Sequence, residues 1–275
     1  MINPQDFKIR CSSIHRIMGG NVGLSESQEA EHIKLIERHK SSFKAVGGVK
    51  ALTDIMLNRL QELDNVKQNP QLPQGAKTYC EEWIKKELYG EGIRGDFKYT
   101  SKGLEMEAEA LAFVAESYGY GMLLKNDMRL DGEFITGESD NIQPTHTLDV
   151  KCSWMPNSFP LFDTELDKAY YWQGVGYMHL YERLKHKVFY CLMNTPAHLI
   201  ENEYKSLTYK GGHNEEEGEE LFNELTKKMT FDSLPNDLRI KKFEFDFNPS
   251  EIDEIIKRVK MCRTYIEKLC KQLTK

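Results

Sequence analysis

The chain has 275 residues, of which 40% are hydrophobic and 29% charged, and its formal net charge is −6 at pH 7. This length suits one large core or a core with appendages, and the acidic balance argues against nonspecific coating of nucleic acid. No apolar run approaches the roughly 20 residues of a membrane-spanning helix, and Cys11, Cys80, Cys152, Cys191, Cys262 and Cys270 are too scattered for a disulfide framework or a zinc knuckle. The opening "MINPQDFKIRCSS" has no apolar leader stretch, so an intracellular protein without a membrane partner is expected. Charge is uneven: residues 1–60 carry nine basic against six acidic side chains, while "HNEEEGEE" at 213–220 reads as a solvated loop and helix start.

In chain order, "SSIHRIMGG" reads as a short helix with serines able to cap it and glycines to close it. "ESQEAEHIKLIERHKSSF" has the scattered apolar positions of a surface helix, and "VKALTDIMLNRLQEL" carries a helical apolar stripe. "NPQLPQG" breaks the pattern, and "AKTYCEEWIKKELYG" resumes it. "SKGLEMEAEALAFVAESYGYG", residues 101–121, predicts a helix with a serine cap and a glycine end. From 122 the texture changes: "MLLKNDMRL", "EFITGES" and "HTLDVKCSW" are short runs between turn residues, as strands are. Residues 166–185 return to helical period, "KVFYCLMNT" and "RIKKFEFDF" read as strands, and 249–273 as a long amphipathic helix opened by proline and acid. The expected architecture is a single α/β domain with a small mixed sheet flanked by helices. Its core covers about residues 100–200, with a helical region over 1–99 and a strand-plus-helix elaboration over 201–275.

Within "HTLDVKCSW", Asp149 and Lys151 leave an extended chain on the same face, in a run otherwise suited to burial. Burying such a pair is costly unless something compensates it. Asp140 falls in the turn just upstream, nine residues before Asp149, where a hairpin brings both carboxylates to one end of a sheet. On the preceding helix Gly103, Glu107 and Ala110 share a face, and small neighbours would let that helix lie close to the sheet with Glu107 pointing inward. Glu107, Asp140 and Asp149 meeting at one point offer hard oxygen ligands to Mg²⁺ or Mn²⁺, with Lys151 balancing charge at a phosphoryl group. Taken singly these residues read as a surface ion pair, a turn acid and a solvated helix position; their order is what carries the chemistry. Gln173 and Tyr177, four apart on a helix, are either packing groups or polar supports for that site or a DNA backbone.

The ordered set Gly103-x-x-x-Glu107, Gly137-x-x-Asp140, Asp149-x-Lys151 and Gln173-x-x-x-Tyr177 resembles the PD-(D/E)XK nuclease superfamily. The phrases "DVKCSW" and "YYWQGVGYMHL" look most like its phage lambda-exonuclease and YqaJ-type branch, over about residues 100–200. The resemblance implies a restriction-endonuclease-like core and metal-dependent hydrolysis of DNA. Glu107, Asp140, Asp149 and the Val150 carbonyl would hold the ion, Lys151 would be the catalytic lysine, and Gln173 would orient the site with Tyr177 beside it. Ser12, Ser13 and Arg16 would contact a phosphate near the DNA end, helix capping being the rival task for the serines. The substrate implied is duplex DNA with free ends. The wider setting implied is a homo-oligomeric ring working beside a single-strand annealing protein in phage recombination, in the bacterial cytoplasm. A structure- or sequence-selective endonuclease and a non-catalytic DNA-binding protein are the alternatives. The sequence departs from the pattern at Ser139, where the family name has proline, and at Asp149, where glutamate is commoner. Cys191, Cys262 and Cys270 are too dispersed for the iron–sulfur cluster of some relatives, so none is expected.

Overall fold

A computed structural model describes residues 2–43, 51–90, 98–211 and 215–273. The chain divides into two compact units, one of residues 1–7, 16–90 and 257–275, the other of residues 8–15 and 91–256. The first unit contains residues 16–18 of α1 (Ile14–Met18), α2 (Glu26–Phe43), α3 (Asp54–Gln68), α4 (Gln74–Tyr89) and residues 257–273 of the helix that begins at Pro249. Helix α3 starts where Thr53 accepts the Met56 amide hydrogen, as an N-cap should. Leu35, Leu52, Leu60 and Leu63 form one cluster of this unit. Burying each leucine stabilises the unit by roughly 1.5–3 kcal/mol.

The second unit holds both sheets. β1 (Ile9–Arg10) runs parallel to β3 (Ile135–Gly137), and β2 (Leu130–Asp131) pairs antiparallel on its other side. The larger sheet has the order β4-β5-β6-β7, formed by Asn141–Ile142, Thr147–Cys152, Lys185–Cys191 and Ile240–Asp246. Its β5–β6 pair is parallel and the outer pairs are antiparallel. Strand alternation divides β5 and β6 between two helices. Leu148, Val150, Phe189 and Cys191 join Met106, Ala110, Leu111 and Val114 of α5 (Lys98–Tyr118) in one core. Thr147, Asp149 and Lys151 face the other way, toward α6 (Lys168–Leu180), which Asp167 caps through the Ala169 amide.

The seating of α6 rests on missing side chains. A Cβ built on Gly174 would lie 2.2 Å from His186 Cδ2 and 2.7 Å from Phe245 Cζ, so the β6 ring occupies the place of a side chain. On β3, a Cβ at Gly137 would lie 2.4 Å from Cys11 Sγ and 3.0 Å from the Tyr177 ring.

The expected mixed sheet flanked by helices is present, with several local corrections. Residues 122–130 do not form a strand apart from Leu130 at the start of β2. Alternating apolar residues gave them that look, but side-chain and backbone bonds around Asn126 hold them without a ladder. Ser101 lies inside α5, which already runs at Lys98, so it is no cap. Gly103 meets nothing within 4 Å, so it does not serve close packing on the sheet. Helix α6 stops at Leu180 and β6 begins at Lys185, within the expected helix. The unanticipated α7 (Ala197–Gly211) and α8 (Glu215–Lys228), whose start the acidic run at 213–220 marked, bring Leu199, Ile200, Phe222 and Leu225 around Trp154 and Met229. The long amphipathic helix, α9 (Pro249–Leu273), has its expected limits. Residues 213 and 214 of the acidic run lie outside the described residues.

Gly174→Ala is expected to lower the unfolding free energy by about 2–3 kcal/mol in urea denaturation, because the added methyl overpacks a filled seam. Gly103→Ala, in open helical space, is expected to leave stability unchanged or raise it by up to about 1 kcal/mol. Equal effects at the two sites would contradict this account of the seam.

Candidate active site

Helix α5 turns Met106 into the core and therefore sets Glu107, one residue on, at the border of its buried stripe. Its side chain is 12% exposed, and Oε2 accepts a hydrogen bond from Lys125 Nζ at 3.2 Å. Asp140 ends the turn between β3 and β4. Its Oδ2 accepts the Val150 amide hydrogen at 2.7 Å, which fastens the turn to β5. An amide N–H and carbonyl of one residue leave a strand on the same side, so the Val150 carbonyl also faces the Asp140 edge. Ser139, standing where the family pattern has proline, is fully buried and donates to the Leu148 carbonyl at 3.0 Å. A side-chain bond thus fixes the turn where a proline ring would have stiffened it.

Asp149 is 1% exposed, and Lys151 Nζ touches its Oδ2. Asp149 Oδ1 is buried without a hydrogen-bond partner, while Oδ2 has the Lys151 ammonium against it. Lys151 also lies 4.8 Å from the centre of the Tyr170 ring on α6, a cation–π position. Burial acts to lower the Lys151 pKa, but the negative charges of Asp149 and Asp140 and the Asp149 contact outweigh it and raise the value. Lys151 is therefore a cation at neutral pH, suited to offsetting charge rather than accepting a proton. Burial first, and then the charge of Asp149, hold the Asp140 carboxyl well above the ordinary carboxylate range; Glu107 adds to this, against Lys151 and the Val150 amide. Glu107, Asp140, Asp149 and Lys151 thus form one electrostatic cluster.

Among the described residues, no three His, Cys, Asp or Glu side chains already close around one point. The expectation of a single ready-made meeting point is corrected to that extent, because Glu107 is drawn to Lys125, Asp140 to the Val150 amide and Asp149 to Lys151. The donor chemistry still fits a hard divalent ion. Three carboxylates supply oxygen, and Asp149 Oδ1, buried without a partner, is the atom a cation would satisfy.

Behind the cluster, Gln173 Nε2 donates to Tyr177 Oη at 2.7 Å, and both side chains are buried. Tyr177 is only 4% exposed, so the expectation that it faces DNA gives way to a supporting role beneath Gln173. Burial, reinforced by the charge of Asp149, raises the Tyr177 pKa and keeps the phenol neutral. His186, paired in register with Thr147, meets its hydroxyl at 2.7 Å through Nδ1. Burial lowers the His186 pKa to about 4, so it adds no positive charge beside Asp149 at neutral pH.

Ser12 and Ser13 lie in a 3-10 turn, Cys11–Ser13, rather than at a side-chain cap. Arg16, in the other unit, donates to both Glu82 oxygens at 2.6 and 2.9 Å and lies over the Tyr79 ring at 4.7 Å. A phosphate would have to displace Glu82 to reach it. Sequence reasoning missed Tyr170, Ser139 as a tie, His186, and Asn126, whose amide donates to the Asp140 carbonyl at 2.8 Å. It also missed Lys102, fully buried, whose ammonium donates to the Trp154 carbonyl at 3.1 Å and whose pKa burial lowers to about 8. Only the aromatic run at 170–172 hinted at any of these.

In the presence of EDTA, Asp140→Asn is expected to raise the melting temperature at pH 7, by about 2–4 °C for each kcal/mol of repulsion relieved. A folded pKa above the unfolded value makes ionised Asp140 a destabilising group at neutral pH. That cost fades as pH falls toward about 4, where the unfolded group also gains its proton. Calorimetry finding no gain at pH 7, or a gain that grows on acidification, would contradict the charge cluster.

No protein-family model matches this chain, and no curated protein matches it. Among solved structures, it is similar to a phage-related exonuclease from Haemophilus somnus 129PT, with 26% identity and a TM-score of 0.68, over 97% of this chain and 96% of that one. An alkaline exonuclease, LHK-Exo, from Laribacter hongkongensis matches at 13% identity and a TM-score of 0.54, over 97% of this chain and 91% of that one. The same enzyme in complex with dAMP matches at 14% identity and a TM-score of 0.50. These likenesses give the chain the fold of phage-related and alkaline exonucleases, which is consistent with a nuclease fold of the lambda-exonuclease and YqaJ type.

Proposed function

We propose that this chain is a divalent-metal-dependent deoxyribonuclease that removes nucleotides from the ends of duplex DNA. The observation that carries this reading is the cluster of Glu107, Asp140, Asp149 and Lys151 on an exonuclease fold. Likeness to exonucleases supports a nuclease, and the donor set supports the metal. Glu107, Asp140, Asp149 and the Val150 carbonyl would hold Mg²⁺ or Mn²⁺, and the bound ion supplies Lewis acidity at a phosphoryl oxygen and a more acidic water. Lys151, fixed as an ammonium between Asp149 and the Tyr170 ring, offsets the negative charge that develops on the phosphoryl oxygens. Gln173 would orient the site, held by Tyr177, whose phenol burial and the charge of Asp149 keep neutral. Ser12 and Ser13 remain candidates for a DNA phosphate; Arg16 is a separate candidate, which a phosphate could engage only by displacing Glu82.

The same proposal extends to a homo-oligomeric ring acting beside a single-strand annealing protein. Among the described residues, no helix is long and apolar enough to cross a membrane. Light scattering on the purified chain tests the ring: a monomer at micromolar concentration removes that part.

Asp149→Ala and Lys151→Ala are each expected to reduce cleavage of linear duplex by on the order of a thousandfold, with unchanged circular dichroism. EDTA should stop turnover and Mn²⁺ restore it. Linear duplex should be digested and closed circular duplex spared. Cleavage of the circle assigns an endonuclease instead, and near-normal cleavage by either variant removes the site assignment.

A further inference from the structure

The mechanism above leaves one cation of the cluster unused. Lys125 lies between α5 and β2, on a segment without regular structure, yet its backbone is fastened on both sides to the turn that carries Asp140. On one side, the Leu124 carbonyl accepts from Asn141 Nδ2 at 2.7 Å. On the other, the Asn126 amide donates to the Asp140 carbonyl at 2.8 Å, and Asn126 Nδ2 donates to the Ser139 carbonyl at 2.9 Å. Lys125 Nζ then lies 3.2 Å from Glu107 Oε2. An exposed ion pair contributes little stability, with a median of about 0–1 kcal/mol. Fixing a lysine so firmly beside a catalytic carboxylate therefore has little value as a fold brace. Its more direct consequence is electrostatic: an ammonium already neutralises one of the oxygen donors a divalent ion needs.

We propose that Lys125 is a placeholder cation, which neutralises Glu107 in the metal-free protein and must yield that carboxylate to the incoming divalent ion. This rests on the metal-dependent reading of the site. In the protein as folded, the ammonium offsets repulsion among Glu107, Asp140 and Asp149, and the ion replaces one monovalent charge by two. After Glu107, the charges of Asp127 and Asp140 also act on the ammonium.

The test is Mn²⁺ binding to the full chain without DNA, by electron paramagnetic resonance and calorimetry. Lys125→Met should bind Mn²⁺ about three- to fivefold more tightly than wild type, the scale of one such ion pair. Lys125→Arg should match wild type within about twofold, since it keeps the charge. Arg129→Met, which removes a cation from the same segment but away from Glu107, should also leave the affinity within about twofold. Lys125→Ala serves if the methionine variant fails to fold. An unchanged or weaker affinity in Lys125→Met, or equal tightening in Arg129→Met or Lys125→Arg, overturns the proposal. Asp149→Asn separates the two readings. Loss of Mn²⁺ binding there with no effect at Lys125 sinks only the placeholder, whereas full Mn²⁺ binding by Asp149→Asn sinks the metal site and the placeholder together.

Discussion

Crowding of like charge is the constraint from which the rest of the second unit can be understood. Three carboxylates share one electrostatic neighbourhood, and burial makes their repulsion harder to screen. A fold that keeps such a cluster must hold it by other means. Here those means are short polar ties: Asp140 on the Val150 amide, Ser139 on the Leu148 carbonyl, Asn126 on the Ser139 and Asp140 carbonyls. The positive charges of Lys151 and Lys125 complete the balance. A charge cluster of this kind stores unfavourable energy, which the divalent ion proposed above would relieve.

The two faces of β5 divide the labour. Leu148 and Val150 join the α5 core, which holds the strand in place. Asp149 and Lys151 face α6, where Tyr170 covers the lysine and the Gln173–Tyr177 pair closes the wall. A one-residue slip of β5 would exchange these faces, so the hydrophobic pattern and the chemistry fix the same register.

Much of this was legible in the amino-acid sequence, for identifiable reasons. Asp149-x-Lys151 in an apolar run is legible because a strand has period two, and α9 because proline and acid open a long amphipathic stripe. The failures have physical causes as well. Met122, Leu124 and Met128 alternate like a strand, but their segment is held by the side chains of Asn126 and Asn141 rather than by a neighbour strand. Glycine at 103 suggested close packing, yet no short-range pattern separates a glycine that fills a seam from one in open space. Arg16 and Tyr177 looked free for DNA because their partners, Glu82 far along the chain and the interior around α6, are tertiary facts.

The glycine seam has a consequence for how activity is lost. With the His186 ring standing where a Gly174 side chain would be, α6 lies against β6 at a distance that only glycine allows, so the helix carrying Gln173 is expected to dock as a whole. Inactivation by heat should then follow the melting of this unit in a single step, and low-temperature stiffness should cost the enzyme little in the alignment of its polar wall.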